Sequence, residues 1–553
     1  MFKTQIFERL VGSLDIYSCL NSGGIPMAEF WEPAWSTEVK IEGGGRFPLG
    51  LNRFHSSLED MLIKSVTVLA SRLRYFTYCC WIIGDISRHL DCKEYSDFIE
   101  AFRRRENALS LGLFLIETDQ VIYGKDNFYK MVDAEEPFQN CSFKLMHSVE
   151  LGAFGLYYSG SVYSFGLTET NEDSIITPTD SGMKLYEIAD NHYAQKAPTY
   201  YKQFKGSKEV PTESLKEWAE INLFSTIKKP ECREERDFFK SVIFHLDNKS
   251  SDFRRDTFAL FLECINACNE HDTVFDEDKL RNIHYYSCFK DLHNGIISFN
   301  IPDYLKDAHF YWQIYEGHVY FRWWLNLLFK TFIEHLKESD DNGSTIDEFF
   351  DLVDEEEFNS CLHSFTGDKG VFYDGSMIDI IKLFPQPCKL NDLCSEEALT
   401  YESKKQSMSC KLSRFVLIMA ALFIKFKKLN VDTRYQHVVQ KQVGNLWFNV
   451  LYSINFENLT VKEFLYKMLK VYCLKQHDQI MLEKRDLRKS WFSTIKDKYY
   501  FNSDVSLIWR PAKYETIMHY LSDMNLIDKG DGFCHLTDEG IKFYNSLKDE
   551  YYS

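Results

Sequence analysis

The sequence predicts a mainly α chain, a multi-domain helical body that carries two small α+β modules. Three observations predict it. Pro is scarce, 12 in 553 residues, and Gly is modest at 26, which favours long helices over a turn-rich sandwich. Apolar residues recur at helical spacing over long stretches. Twice, a helix-like stretch gives way to two short apolar runs around a polar turn, and then to Thr-Asp-x-Gly.

A chain of 553 residues has room for three or four domains. Hydrophobic residues at 45% and charged residues at 26% are ordinary for a globular protein, and 16% aromatics exclude a disordered chain. The net charge of −18 favours solubility and excludes a surface coated in nucleic acid, while leaving room for a local basic patch. Cys is odd in number at 15, with Cys79 and Cys80 adjacent in an apolar run, so reduced, buried thiols of a cytoplasmic protein are expected rather than a disulfide framework. The opening MFKTQIFERLVGSLD carries Glu8 and no unbroken apolar core, so no signal peptide is expected. The longest apolar run, Phe415–Ile424, is about half the ~20 residues of a membrane span and reads as a buried helix. No membrane partner is expected.

The elements follow in order. Trp31, Pro33 and Trp35 lead to a strand-like stretch at 37–41 and a turn at Gly43–Gly45. One helix is expected over Ser56–Ile86 and a second over Tyr95–Leu113. Lys196–Pro211 reads as a linker, and Ser214 with Glu217 as a capping box. Arg236–Cys268 and Tyr304–Leu336 read as helices. Glu338–Ser344 is a break, after which Thr345 and Glu348 cap an acidic helix. Gln386–Cys410 is polar and weakly periodic, and helices resume from Leu412, through Trp447, to about His477. The expected domains are 1–195, 212–340, 345–478 and 481–553.

The C-terminal stretch Ala512–Leu547 has every part of a winged helix. Pro511 suits a first helical turn. Ile517, Tyr520, Leu521 and Met524 recur at helical spacing. Leu526–Asp528 and Phe533–Leu536 are expected strands around the turn at Lys529–Gly532. Thr537 is a good N-cap, with Asp538 and Glu539 in the turn that the helix dipole favours. The same order appears at Leu156–Asp190, where Thr179-Asp180-Ser181-Gly182 stands for Thr537-Asp538-Glu539-Gly540 and Gly166-Leu167 for Asn525-Leu526. The two copies differ in charge. The first has no Lys or Arg in Leu156–Phe165, and its turn carries Glu169, Glu172 and Asp173. The second follows a stretch, Met481–Lys513, with eight basic residues against four acidic ones. Arg485, Arg488, Lys489, Lys496, Lys498, Arg510, Lys513 and Lys529 are therefore the candidate DNA-binding residues, by phosphate contact. Protein contact is the equal alternative, because fold does not fix function.

The stretches RLRYFTYCCWII, FIEAFRRRENAL, YYSGSVYSFGLTE with TPTDSGMKL, and FYWQIYEGHVYFRWWLNLLF occur in this order. Together they resemble a loosely defined group of uncharacterised bacterial proteins found among anti-phage defence genes, over roughly the first 335 residues. The resemblance implies a defence-associated role beside partner subunits, often ATPases or nucleases, and no catalytic residues.

Catalytic signatures are sparse. The chain has no G-x-x-x-x-G-K-[ST], H-E-x-x-H or G-x-S-x-G, which removes support for P-loop ATPase, zincin and α/β-hydrolase readings. Cys264, Cys268 and His271, with Cys288, have metal-like spacing, but the cysteines sit in an apolar helix where Cys behaves as a small hydrophobe, and no metal is expected. Asp303 with Glu316 resembles the acidic pair of some nucleases, with His318 where a Lys is expected. Arg72, Arg74, Arg104 and Arg105 could grip an anion, or else pair with Glu59, Asp85, Glu100 or Glu106. His89, His437 and His477 lack a catalytic pattern. The expected function is a non-enzymatic subunit or adaptor of a multi-protein bacterial anti-phage defence system, its C-terminal winged helix contacting DNA or a partner protein. A divergent metal-dependent nuclease and a transcriptional regulator are the alternatives. No cofactor is expected.

Overall fold

Few breakers and long apolar periods make helix the dominant element of the computed structural model. The structure describes residues 49–146, 149–246, 253–339, 342–367, 370, 372–383, 406–429, 432–436, 450–451, 454–483, 490–504, 513–530 and 532–551. The stretches expected at 31–45, the linker residues 386–405, His437, Trp447 and Pro511 lie outside them.

Three helices open the described chain: α1 (Asn52–Leu62), α2 (Leu73–His89) and α3 (Tyr95–Leu115). The single helix expected over Ser56–Ile86 is therefore two. Neither Gly nor Pro breaks it; Ser65 enters the left-handed region at φ 75°, and tertiary partners take the backbone groups that a helix would have paired internally. The carbonyls of Lys64, Val66 and Ala70 accept from Arg254 at 3.0 Å, Lys513 at 2.9 Å and Tyr520 at 2.5 Å. The Leu73 amide, first in α2, donates to the Asp523 carboxylate at 3.0 Å.

Short α4 (Lys125–Met131) and strand β1 (Phe138–Asn140) follow. A π-helical turn at Phe154–Tyr158 runs into α5 (Ser159–Ser164), then hairpin β2 (Thr168–Thr170) and β3 (Ile176–Pro178), then α6 (Asp180–Lys196). The expected linker Lys196–Pro211 is folded instead. It forms a π turn at Tyr200–Phe204 and strand β4 (Glu209–Pro211), which pairs antiparallel with β1, Gln139 opposite Val210. Buried Tyr200 and Val210 are the physical reason, for their apolar surface outweighs the polar character of the stretch. The capping box expected at Ser214 and Glu217 is absent. α7 (Thr212–Ile221) starts two residues earlier, directly after Pro211, whose restricted backbone sets the entry.

The helix expected over Arg236–Cys268 is also divided, into α8 (Arg233–Phe244) and α9 (Arg254–Glu270), with His245 left-handed at φ 51° ending the first. α10 (Glu277–Tyr286) and a hairpin, β5 (Cys288–Lys290) with β6 (Ile296–Ser298), precede α11 (Lys306–Glu338). At 33 residues, α11 spans about 50 Å at the usual helical rise. Trp312, Tyr315, Trp324, Phe329 and Phe332 bury it on several sides, making it the axis of the core.

Past the expected break, Thr345 accepts from the Glu348 amide at 3.1 Å and Glu348 accepts from the Thr345 amide at 2.8 Å, the reciprocal cap read from sequence. It opens α12 (Ile346–Phe350), followed by α13 (Glu355–Thr366), α14 (Met377–Leu383) and α15 (Met408–Phe426). α15 contains the expected buried run, with Phe415–Phe423 buried and Ile424 partly so. Among the described residues no helix is long and apolar enough to cross a membrane. Eight of the described cysteines are buried free thiols, as expected, whereas Cys361 of α13 and Cys410 of α15 are joined as a disulfide with Cα atoms 5.8 Å apart, because the two helices pack side by side with these residues facing. The chain closes with α16 (Val461–Lys467), a π stretch at Met468–Lys475, α17 (Gln476–Glu483), hairpin β7 (Phe492–Ile495) and β8 (Lys498–Phe501), α18 (Tyr514–Asp523), hairpin β9 (Ile527–Gly530) and β10 (Phe533–Leu536), and α19 (Asp538–Tyr551). The first strand of that last hairpin lies one residue later than expected and runs to Gly530.

Two carboxyls inside this core are held protonated-prone by burial. Burial pushes Glu316 up to about 7 against the opposing charge of Arg281, and its Oε1 lies 3.9 Å from Nδ1 of buried His284. Burial pushes Glu106 up to about 7 as well, although the Phe154 amide and Tyr75 hydroxyl donate to it. A raised acid binds a proton in the folded chain that the unfolded chain, at 4.5, has released. The contribution of these two groups to stability is therefore full below pH 4.5 and is lost as pH rises towards 7, by up to about 3 kcal/mol per group. Denaturant titrations at pH 5 and pH 8 are expected to show Glu316→Gln with a smaller loss over this interval than the wild type. Identical losses would contradict the assignment.

Candidate functional site

The Thr-Asp-x-Gly sequence does the same local work in both copies. Gly166 and Asn525 end the preceding helix in the left-handed region, at φ 71° and φ 60°. The next amide turns back onto the helix, Leu167 to Val162 at 3.1 Å and Leu526 to Leu521 at 2.9 Å. After the hairpin, the amides of Thr179 and Thr537 donate to the carbonyls of Leu167 and Leu526, each at 3.1 Å. The same threonines donate Oγ1 to Gly166 and Asn525 carbonyls at 2.6 Å and accept from the Gly182 and Gly540 amides at 3.2 and 2.9 Å. A Cβ on Gly182 or Gly540 would stand 1.9 Å from the Leu167 or Leu526 carbonyl oxygen. Glycine is needed there because the new helix is pressed against that carbonyl.

A third unit escaped the sequence reading. α10, β5, β6 and α11 repeat the order of helix, hairpin and helix without the Thr-Asp-x-Gly. Ser287 takes the left-handed place at φ 56°, and the Phe299 amide donates to its carbonyl at 2.8 Å. Its hairpin turn copies that of the first unit. Asp291 Oδ1 accepts from the His293 and Gly295 amides at 2.8 and 2.7 Å, as Asn171 Oδ1 accepts from Asp173 and Ile175 at 3.1 and 2.8 Å. The signal in the sequence was the Asx residue opening each turn, Asn171 and Asp291.

The helix before the last hairpin, α18, faces inward. Tyr514, Ile517, Met518, Tyr520 and Leu521 are buried, and Asp523 is 1% exposed. Asp523 accepts from Arg72 at 3.2 and 2.6 Å and from the Leu73 amide at 3.0 Å. Lys513, at the helix entry, donates to the Val66 carbonyl and lies 3.0 Å from Glu59, which also accepts from Tyr315 at 3.0 Å. Burial would raise Glu59, but the hydrogen bond from His55 and the charge of Lys513 hold it at about 2. On α19, Glu539 pairs with Lys240 and lies 3.9 Å from Arg236.

The other candidate cations are dispersed. Lys529 pairs with Glu515 at 2.8 Å and covers the Tyr514 ring. Lys498 lies 3.9 Å from Glu348 and donates to the Asn342 carbonyl. Lys496 is exposed at the tip of the β7–β8 hairpin. Arg485, Arg488, Lys489 and Arg510 lie outside the described residues. The arginines considered for anion binding each meet a carboxylate of the chain: Arg72 with Asp523, Arg74 with buried Glu235, Arg104 with exposed Glu100, and Arg105 with Asp85 at 2.7 Å. A cationic face missed by the sequence reading lies on α16 and the π stretch, where Lys462, Lys467, Lys470 and Tyr466 line a shallow recess. Lys462 there pairs with Glu355 and Asp374.

The chemical candidates do not converge. Cys264 and Cys268 are fully buried, and burial pushes both thiols up, Cys268 to about 12. Among the described residues no group of three or more His, Cys, Asp or Glu is placed to hold a metal ion. Asp303 is exposed in the turn before α11, while Glu316 is buried about three turns along that helix, on the order of 20 Å away. His477 accepts from the Trp491 amide and contacts Ser490, a structural setting, and His89 lies 3.8 Å from Asp85. The chain matches no protein-family model, no curated protein and no solved structure.

Two substitutions test how the C-terminal unit is held. Asp523→Ala removes a buried ion pair and the trans cap of α2, and is expected to cost about 3 kcal/mol by denaturant unfolding. Gly540→Ala is expected to cost about 2 kcal/mol or more through its clash with the Leu526 carbonyl. Less than about 0.5 kcal/mol for either would contradict the packing described.

Proposed function

We propose that this chain is a non-catalytic adaptor subunit of a multi-protein bacterial anti-phage defence system, whose winged-helix-like units serve protein contact. The burial of α18 carries the choice between protein and DNA. In a winged helix that reads duplex, the helix before the hairpin enters the major groove. Here Tyr520 and Asp523 of that helix are committed to Ala70, Arg72 and Leu73, and exposing them would leave buried charge unpaired. The pairing of Lys529 and Lys498 with carboxylates also weakens the case for phosphate contact. The defence setting rests on the resemblance of the first 335 residues.

Native mass spectrometry of the full chain co-expressed with the products of its neighbouring genes tests the proposal. A stoichiometric complex is expected. Fluorescence anisotropy with labelled duplex at two salt concentrations should show no more than weak, non-specific binding. Tight, salt-dependent duplex binding by a chain that forms no protein complex would overturn the adaptor reading.

A further inference from the structure

We propose that the outward face of the Phe154–Ser164 helix, with Val68 and Leu69 beside it, docks an amphipathic helix of a partner protein that is basic along its flanks. The proposal rests on the adaptor reading and names the surface through which it would act.

Leu156 and Tyr163 are 45% and 63% exposed, and Gly160 lies between them. Spacings of four and three residues put all three on one face. A Cβ on Gly160 would meet nothing within 4 Å, so the middle of this face is an open notch where another backbone can approach closely. The segment after α1 runs antiparallel along the same helix. Ser65 Oγ lies 2.7 Å from Ser164 Oγ, and Thr67 Oγ1 lies 3.1 Å from Ser161 Oγ. Val68 and Leu69, the next residues of that segment, are 60% and 58% exposed. Single exposed apolar residues are ordinary, but Leu156 and Tyr163 on this helix, with Val68 and Leu69 on the segment hydrogen-bonded along it, make four large ones in two neighbouring elements, which marks an interaction surface. The π-helical turn at Phe154–Tyr158 sits in the same place, and such turns concentrate at functional sites.

Charge selects the occupant. Residues 154–178 contain no Lys or Arg, and the adjoining hairpin exposes Glu169, Glu172 and Asp173. These rim carboxylates outnumber the one exposed cation of the neighbouring segment, Lys64, and so disfavour nucleic acid and anionic lipid, and a second copy of a chain with net charge −18 would meet like charge. A helix with an apolar ridge and Lys or Arg flanks satisfies both the notch and the rim, in the manner of a helix laid in a groove.

The probe is a fluorescein-labelled amphipathic peptide of Leu and Lys, titrated onto the full chain, with a Leu and Glu peptide as control. The Leu and Lys peptide is expected to bind, more weakly at high salt, and the Leu and Glu peptide to bind at least about tenfold more weakly. Tyr163→Glu and Gly160→Arg should each lower affinity by about tenfold or more. Gly160→Arg adds a side chain in open space, so it keeps the test valid if Tyr163→Glu melts early. Unchanged affinity in Gly160→Arg, or equal binding of both peptides, overturns the proposal. A gene-neighbour complex that survives Gly160→Arg also overturns it while leaving the adaptor reading intact. Peptide binding at this face by a chain that forms no complex supports the docking surface and counts against the adaptor reading alone.

Discussion

The buried carboxylate of Asp523 governs the arrangement of the molecule. It sits at the end of α18 and caps α2, joining residues 450 positions apart in sequence. A carboxylate at 1% exposure is costly unless its lone pairs are filled, and here Arg72 and the Leu73 amide fill them. Burial raises its pKa, and the Arg72 charge opposes that rise. Around this contact, Lys513 with Glu59 and Lys240 with Glu539 repeat the theme of a charge from the C-terminal unit matched by a charge from the body. Asp523 depends most on its partner, since without Arg72 its charge is buried with only the Leu73 amide, whereas Lys240 keeps Asp237 and Glu59 keeps Tyr315.

Local signals were the legible part of the fold. The Thr345 cap, the two Thr-Asp-x-Gly junctions and the apolar run of α15 depend on residues near one another, and the structure has them where the sequence expected them. The failures came where distant residues overrule local preference. Nothing within Ser56–Ile86 announces a break, because the groups that cause it belong to Arg254, Lys513, Tyr520 and Asp523. Lys196–Pro211 looked like a linker by composition, yet Tyr200 and Val210 each find an apolar site and β4 finds β1. The candidate site was less legible than the fold. Lysines and arginines can be counted in a sequence, but Lys513 and Arg74 show that a count cannot tell a free cation from one matched by a carboxylate hundreds of residues away.

The helix–hairpin–helix units illustrate one geometry put to different uses. A left-handed residue at the helix end and an amide returning after the hairpin recur in all three, landing one residue past the left-handed position in the first and last units and on Ser287 itself in the middle one. What surrounds each turn differs. The helix of the last unit is enclosed by α2 and α9, whereas the corresponding helix of the first keeps one apolar face in solvent. The same local frame therefore serves as an internal strut at one end of the chain and as an open surface at the other.

The break between α1 and α2 also bears on how the chain is made. A ribosome releases the residues of α2 long before α18 exists. Until then, the carbonyls of Val66 and Ala70 and the amide of Leu73 have only water as a partner. Contacts of such long range close slowly, since the intervening chain must order first. The aromatic residues of α2 find most of their partners earlier, Phe76 on Tyr158, Phe165 and Phe239 and Trp81 on Tyr193 and Trp218, and of these ring contacts only that of Phe76 with Tyr520, at 6.2 Å, waits for the last unit.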